Sequence, residues 1–162
     1  MTDYLVADKP ARGNDARGRK PYLVQNTLDI AAQIVVNDAD YATGDTETML
    51  NIPKGTAVLS AGIEVMTSGT GAATVDLGFK GGVVDKYVDG LNIVTAADGT
   101  YAPTPAGEAA QIIVTTSDDT IDLTFASENA LTAGVLRVWA ICMDVGDIGD
   151  MSADTVDRDT LA

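Results

Sequence analysis

Residues 63–79 are echoed later in the chain by residues 112–125, and this repetition constrains the fold more than any other feature of the sequence. The first copy reads Ile63-Glu64-Val65-Met66-Thr67-Ser68, then the small-residue stretch Gly69-Thr70-Gly71-Ala72-Ala73, then Thr74-Val75-Asp76-Leu77-Gly78-Phe79. The second reads Ile112-Ile113-Val114-Thr115-Thr116-Ser117, then Asp118-Asp119, then Thr120-Ile121-Asp122-Leu123-Thr124-Phe125. Val75, Leu77 and Phe79 alternate with polar or small residues, as do Ile121, Leu123 and Phe125, which is the period of a strand with one buried face. The expectation is a β-hairpin made twice. Two such hairpins bury their apolar faces against each other as the halves of a sandwich.

The rest of the chain reads in the same way. Residues 28–36 are expected as one strand or two short ones, 37–48 as a polar loop, and Pro53-Lys54-Gly55 as a turn. Gly62, inside the strand expected over 56–67, suggests a bulge or bend where a long strand changes sheets. Further strands are expected over 83–88 and 91–94, separated by a turn at Asp89-Gly90, and residues 96–107 read as turn and loop. Residues 126–134 read as a connection with one helical turn over 128–131. The last strong strand, 135–143, is apolar on both faces except for Arg137. Such a strand is covered twice or lies at a subunit contact, and Arg137, Trp139 and Ile141 are the candidate interface residues. About eight strands and no long helix make the chain all-β, a single β-sandwich or jelly roll with an extended N-terminal arm.

A chain of 162 residues with 46% apolar content suits one domain with a real core. The net charge of −14 is unevenly placed. Residues 9–20 carry five basic side chains, Lys9, Arg12, Arg17, Arg19 and Lys20, against Asp15, a net of +4, whereas residues 21–162 hold 5 basic and 21 acidic residues, a net of −16. The organisation expected is therefore a basic arm over 1–21, a β-domain over 22–143 and an acidic tail over 144–162. An acidic body repels phosphate and anionic lipid, which argues against nucleic acid and membrane surfaces as partners. No run of about 18 apolar residues is present, nor a basic-then-apolar leader, so the expectation is a soluble protein finished in the cytoplasm of the cell that makes it.

The sequence contains no histidine, which removes Ser-His-Asp and Cys-His catalysis and histidine-ligated zinc. The lone Cys142 lies in an apolar run and reads as a small buried hydrophobe. Residues 37–45 lack the ligand spacing and closing glutamate of a calcium loop. Asp144, Asp147 and Asp150 are glycine-spaced and read as solvated, with a structural calcium ion as the alternative. Asp76 and Asp122, at equivalent places in the two copies, are expected to be solvated carboxylates on strand faces and not a paired acid and base. Gly69-Thr70-Gly71 lacks the lysine of a phosphate loop. No catalytic, metal or cofactor residues are expected, and the chain does not read as an enzyme.

Ile52-Pro53-Lys54-Gly55-Thr56, Ile63-Glu64-Val65, Ala73-Thr74-Val75-Asp76-Leu77-Gly78, Asp85-Lys86-Tyr87-Val88-Asp89-Gly90 and Gly134-Val135-Leu136-Arg137-Val138-Trp139 together resemble the capsid decoration, or cement, proteins of tailed bacteriophages. The resemblance spans about residues 50–143 and is one of strands and turns. It implies a homotrimeric jelly roll on the outer capsid surface of the virion, made in the host cytoplasm, that bridges capsomers and binds the major capsid protein. Lys9, Arg12, Arg17, Arg19 and Lys20 would then form a capsid-binding arm. The alternatives are a phage tail, baseplate or head-fibre accessory protein and, in a different class, a secreted calcium- or glycan-binding β-domain. The low aromatic content of 5% and the missing leader disfavour the last.

Overall fold

A computed structural model of the protein describes residues 20–80, 82–103 and 112–145. In chain order the elements are β1 (Tyr22–Asp29), α1 (Ile30–Asn37), β2 (Thr46–Ile52), β3 (Thr56–Phe79), β4 (Val88–Asn92), β5 (Thr100–Pro103), β6 (Ile113–Val114) and β7 (Asp119–Asp144). The all-β expectation holds, with seven strands and one short helix among the described residues.

The organising pair is β3 with β7, of 24 and 26 residues, which run antiparallel from Thr56↔Asp144 to Phe79↔Ile121. The two expected hairpins are therefore not formed. Gly69-Thr70-Gly71 does not reverse the chain, because β3 continues through it, and β6 pairs with Ala57 and Val58 of β3 rather than with β7. The repeat has a different meaning. Its two T-[VI]-D-L-x-F segments are cross-strand partners, with Val75↔Phe125, Leu77↔Leu123 and Phe79↔Ile121. Equivalent leucines face each other about a local twofold, so the two copies lie side by side in one sheet.

The long pair divides the sheet into two leaves. In the first, residues 135–142 of β7 lie between β1 and residues 56–67 of β3, which in turn pair with β5 and β6. In the second, residues 119–124 of β7 pair with β2, and residues 74–77 of β3 pair with β4. Ile63, Val65, Leu136, Val138 and Ala140 of the first leaf join Val75, Leu77, Ile121, Leu123 and Phe125 of the second in one core cluster, each of them fully buried. Tyr87 ties the leaves together. Its ring packs on Phe79 of the second leaf at 5.6 Å, and burial, with the Cys142 thiol of the first leaf adding to it, pushes its hydroxyl pKa up.

The bend between leaves is built from lost register. Shifts fall at Val65/Thr67, Thr67/Thr70 and Thr70/Ala72, opposite Asn129–Leu136 of β7, and Ala130 in that stretch takes φ 55°. Gly71 takes φ +101°, and a Cβ there would stand 2.3 Å from the Ala130 carbonyl oxygen, so only glycine lets the two backbones approach here. The bend expected at Gly62 thus lies several residues later. The helical turn expected over 128–131 is part of this irregular strand, with Glu128 Oε1 accepting from the Leu131 N–H at 2.7 Å and Leu131 buried in the core.

Further expectations change: the strand expected over 83–88 is not formed before Val88, and β5 lies within the stretch 96–107 expected as turn and loop. Residues 28–36 do not form strand throughout. Asp29 ends β1 and caps α1 by accepting from the Ala32 N–H at 3.1 Å, and Asp38 closes the helix in the left-handed region at φ 52°. Ile30 is buried while Val35 and Val36 are 79% and 75% exposed, so an apolar run that read as a core strand is largely a surface helix. Asp89-Gly90, expected as a turn between strands, is instead a bulge inside β4. The register shifts from Val75↔Leu91 to Leu77↔Val88, and the Gly90 N–H donates to Asp76 Oδ1 at 2.7 Å.

Candidate interaction surface

Trp139 lies on the side of β7 opposite the core residues Val138 and Ala140, as do Arg137 and Ile141 by strand alternation. The register extends this outer face across five strands. Leu23 stands beside Ile141, Trp139 between Gln25 and Gly62, and Glu64 between Arg137 and Tyr101. Val114, Ala57 and Met143 form the next row.

The centre of the face is packed within the chain. Tyr101 lies against the Trp139 ring at 5.5 Å, and Trp139 is only 8% exposed. A Cβ on Gly62 would sit 2.4 Å from the Ala102 carbonyl oxygen and 2.7 Å from the indole, so Gly62 is the floor on which the tryptophan lies. Arg137 bonds Glu64 at 3.0 Å beside the rings; both side chains are partly exposed, and such a pair contributes about 0–1 kcal/mol. Around this centre stand exposed apolar groups: Leu23 at 59%, Tyr101 at 55%, Val114 at 49% and Ile141 at 37% exposure. A wet sheet face normally carries polar side chains, and a contiguous apolar one marks an interaction surface.

Of the predicted site residues, Arg137, Trp139 and Ile141 are thus brought together on one face. Lys20 is exposed just before β1, and Lys9, Arg12, Arg17 and Arg19 lie outside the described residues, as does the tail beyond residue 145. Sequence reasoning missed Leu23, Tyr101 and Val114, which join the face only through pairing with β3 and β7. At its border the Tyr22 hydroxyl donates to Asp144 Oδ1 at 2.7 Å, and burial together with that bond raises its pKa to about 12.

Cys142 is buried, and burial, with Asp144 adding to it, raises its thiol pKa to about 11, so the thiolate is scarce at neutral pH. Asp76 has its pKa raised by burial, against the lowering effect of the Gly90 N–H, and serves the β4 bulge. Asp122 departs from expectation: it is 6% exposed rather than solvated. No group of three acidic or cysteine side chains gathers as a metal centre among the described residues.

No protein-family model matches the chain, and no curated protein matches it. Solved structures do share its fold. A chain of the cyanophage Pam1 capsid asymmetric unit is 20% identical with a TM-score of 0.63, over 88% of this chain and 96% of that one. A chain of the capsid of Ralstonia phage GP4 is 16% identical with a TM-score of 0.56, over 84% and 90%. Both likenesses are to the fold, and both run nearly the full length of the phage chains.

Proposed function

We propose that the protein is a structural component of a phage virion that decorates and stabilises the outer surface of the capsid by bridging capsomers. The observation that carries this reading is the near-complete coverage, 88% of this chain and 96% of the other, between this fold and a chain of a phage capsid asymmetric unit. The charge distribution supports the outer surface, since a body with a net charge of −16 over residues 21–162 is repelled by packaged DNA. The partner is the major capsid protein. Lys9, Arg12, Arg17, Arg19 and Lys20 of the arm meet acidic patches on the shell, where ordering of the segment is offset by ion pairing. Copies of the chain associate as a homotrimer through the outer face of the first leaf, around Arg137, Trp139 and Ile141. The role is mechanical, and no enzymatic step is assigned to it.

The test is binding to shells lacking the protein. Wild-type protein is expected to saturate them, and a variant with the five basic arm residues changed to serine is expected to keep its circular dichroism spectrum and lose binding. A variant that still saturates shells would overturn the arm's role. Failure of the wild-type protein to bind any phage shell, with association only to tails or baseplates, would overturn the decoration reading.

A further inference from the structure

The outer face of the second leaf carries a buried carboxylate that the decoration role does not use. Asp122 lies between the core residues Ile121 and Leu123, so alternation turns its side chain away from the core, yet it is 6% exposed. What covers this face is backbone. Gly78 is its register partner on β3, and a Cβ on Gly78 would stand 2.0 Å from the Val83 carbonyl oxygen and 2.6 Å from that of Val84. The segment after β3 therefore roofs the strands with carbonyl groups held close to their surface.

Beneath it is a cavity of about 220 Å³ whose lining includes Thr46, Lys80, Val84, Asp122 and Thr124. Asp122 Oδ1 is sealed from solvent without a hydrogen-bond partner, and so is Thr120 Oγ1, two residues earlier on the same face of β7. A buried carboxylate oxygen with no donor is costly, and carbonyl oxygens nearby raise that cost. Lys80 lines the cavity, but its ammonium is not within ion-pair distance of Asp122. The groups gathered here are carboxylate, hydroxyl and carbonyl oxygens, the ligand chemistry of a hard cation, with no thiol or imidazole.

We propose that this cavity binds a calcium-class cation through Asp122, with the hydroxyls of Thr46 and Thr124 and the Val84 carbonyl, which line the same cavity, completing an oxygen shell. The ion neutralises the buried carboxylate and pins the segment after β3 to the second leaf. With a single carboxylate among neutral oxygens, its dissociation constant falls at about 10⁻⁴–10⁻³ M, the weak end of protein calcium sites.

The experiment is thermal unfolding of the full chain, stripped with chelator and then titrated with calcium chloride at constant ionic strength. Ten times the dissociation constant is expected to raise the wild-type midpoint by about 3–6 °C. The Asp122→Asn variant keeps the shape but not the charge; it is expected to unfold at or above the wild-type midpoint in chelator and to show no calcium shift. Thr124→Val removes one ligand only and is expected to weaken the calcium response several-fold. Lys80→Met is expected to keep or enlarge it, by removing a competing positive charge. Three results would overturn the proposal: no wild-type shift at 10 mM calcium, an equal shift in Asp122→Asn, which would put the ion elsewhere on this acidic chain, or a calcium response lost in Lys80→Met.

Discussion

In the second leaf outward side chains are bonded or roofed inside the chain: Thr74 bonds Ser127 at 2.7 Å and Asp76 holds the Gly90 N–H, while Asp122 Oδ1 and Thr120 Oγ1 are buried without a partner. In the first leaf the outward side chains are Leu23, Ile141, Tyr101 and Val114, exposed by 37–59%, around a tryptophan already packed on glycine. The inner faces of the two leaves are alike, both fully buried aliphatic and aromatic surface in one cluster. What separates the leaves is therefore the side that does not contribute to the core. One leaf closes its outer face with hydrogen bonds and a roof, and the other leaves apolar area open, the condition for association with another surface.

The largest effects should come from what the leaves share. Phe125 is fully buried and stacks on Tyr41 at 4.2 Å, so Phe125→Ala is expected to cost about 3–5 kcal/mol in urea unfolding. Leu77→Ala and Leu123→Ala should each cost about 2–5 kcal/mol and, as direct cross-strand partners, should couple in a double-mutant cycle; strict additivity would break the pairing of the two repeat copies. In the first leaf Gly62→Ala pushes a methyl group into the indole and a carbonyl, with an expected cost of about 1–3 kcal/mol and a shift in tryptophan emission, since Trp139 is the only tryptophan in the chain.

Smaller effects test the outer faces. Leu23→Gln with Ile141→Gln should change folding stability by no more than about 0.5 kcal/mol while shifting the mass seen by light scattering toward monomer. An unchanged oligomer would remove the first leaf as an interface. At the bend, Ser68 donates to Asp98 from both its backbone N–H and its hydroxyl, and these bonds hold the carboxyl pKa below its ordinary value of 3.8. A lowered pKa stabilises the fold above the ordinary value and loses that contribution as pH falls through the folded one. Wild type should therefore melt above Asp98→Asn at pH 7, and the gap should close below pH 3.8. Cys142 should label negligibly with a thiol reagent in the native state at pH 8 and fully in denaturant, without changing either leaf.

The strand alternation at Val75, Leu77 and Phe79, and again at Ile121, Leu123 and Phe125, was legible in the sequence, and with it the all-β class and which side chains face the core. The face carrying Arg137, Trp139 and Ile141 was legible for the same reason. The apolar run over 28–36 fits a strand by composition, and the helix that begins at Ile30 shows itself only in the fold, where Asp29 caps it by accepting from the Ala32 N–H. Asp122 was misread because alternation gives its side of the strand and says nothing of a roof over it. Which strand each pairs with lay beyond the sequence. Gly69-Thr70-Gly71 has the composition of a hairpin turn and of a wide bend alike, and the choice was made by the extended β3 and β7 ladder, which satisfies more backbone groups and buries both repeat copies together. Tyr101 and Leu23 reached the Trp139 face through register across strands distant in sequence. Side-chain alternation is a property of the local backbone and is written residue by residue, whereas pairing, cover and exposure depend on which distant segments win the competition for the same edges and faces, and only the folded chain decides that.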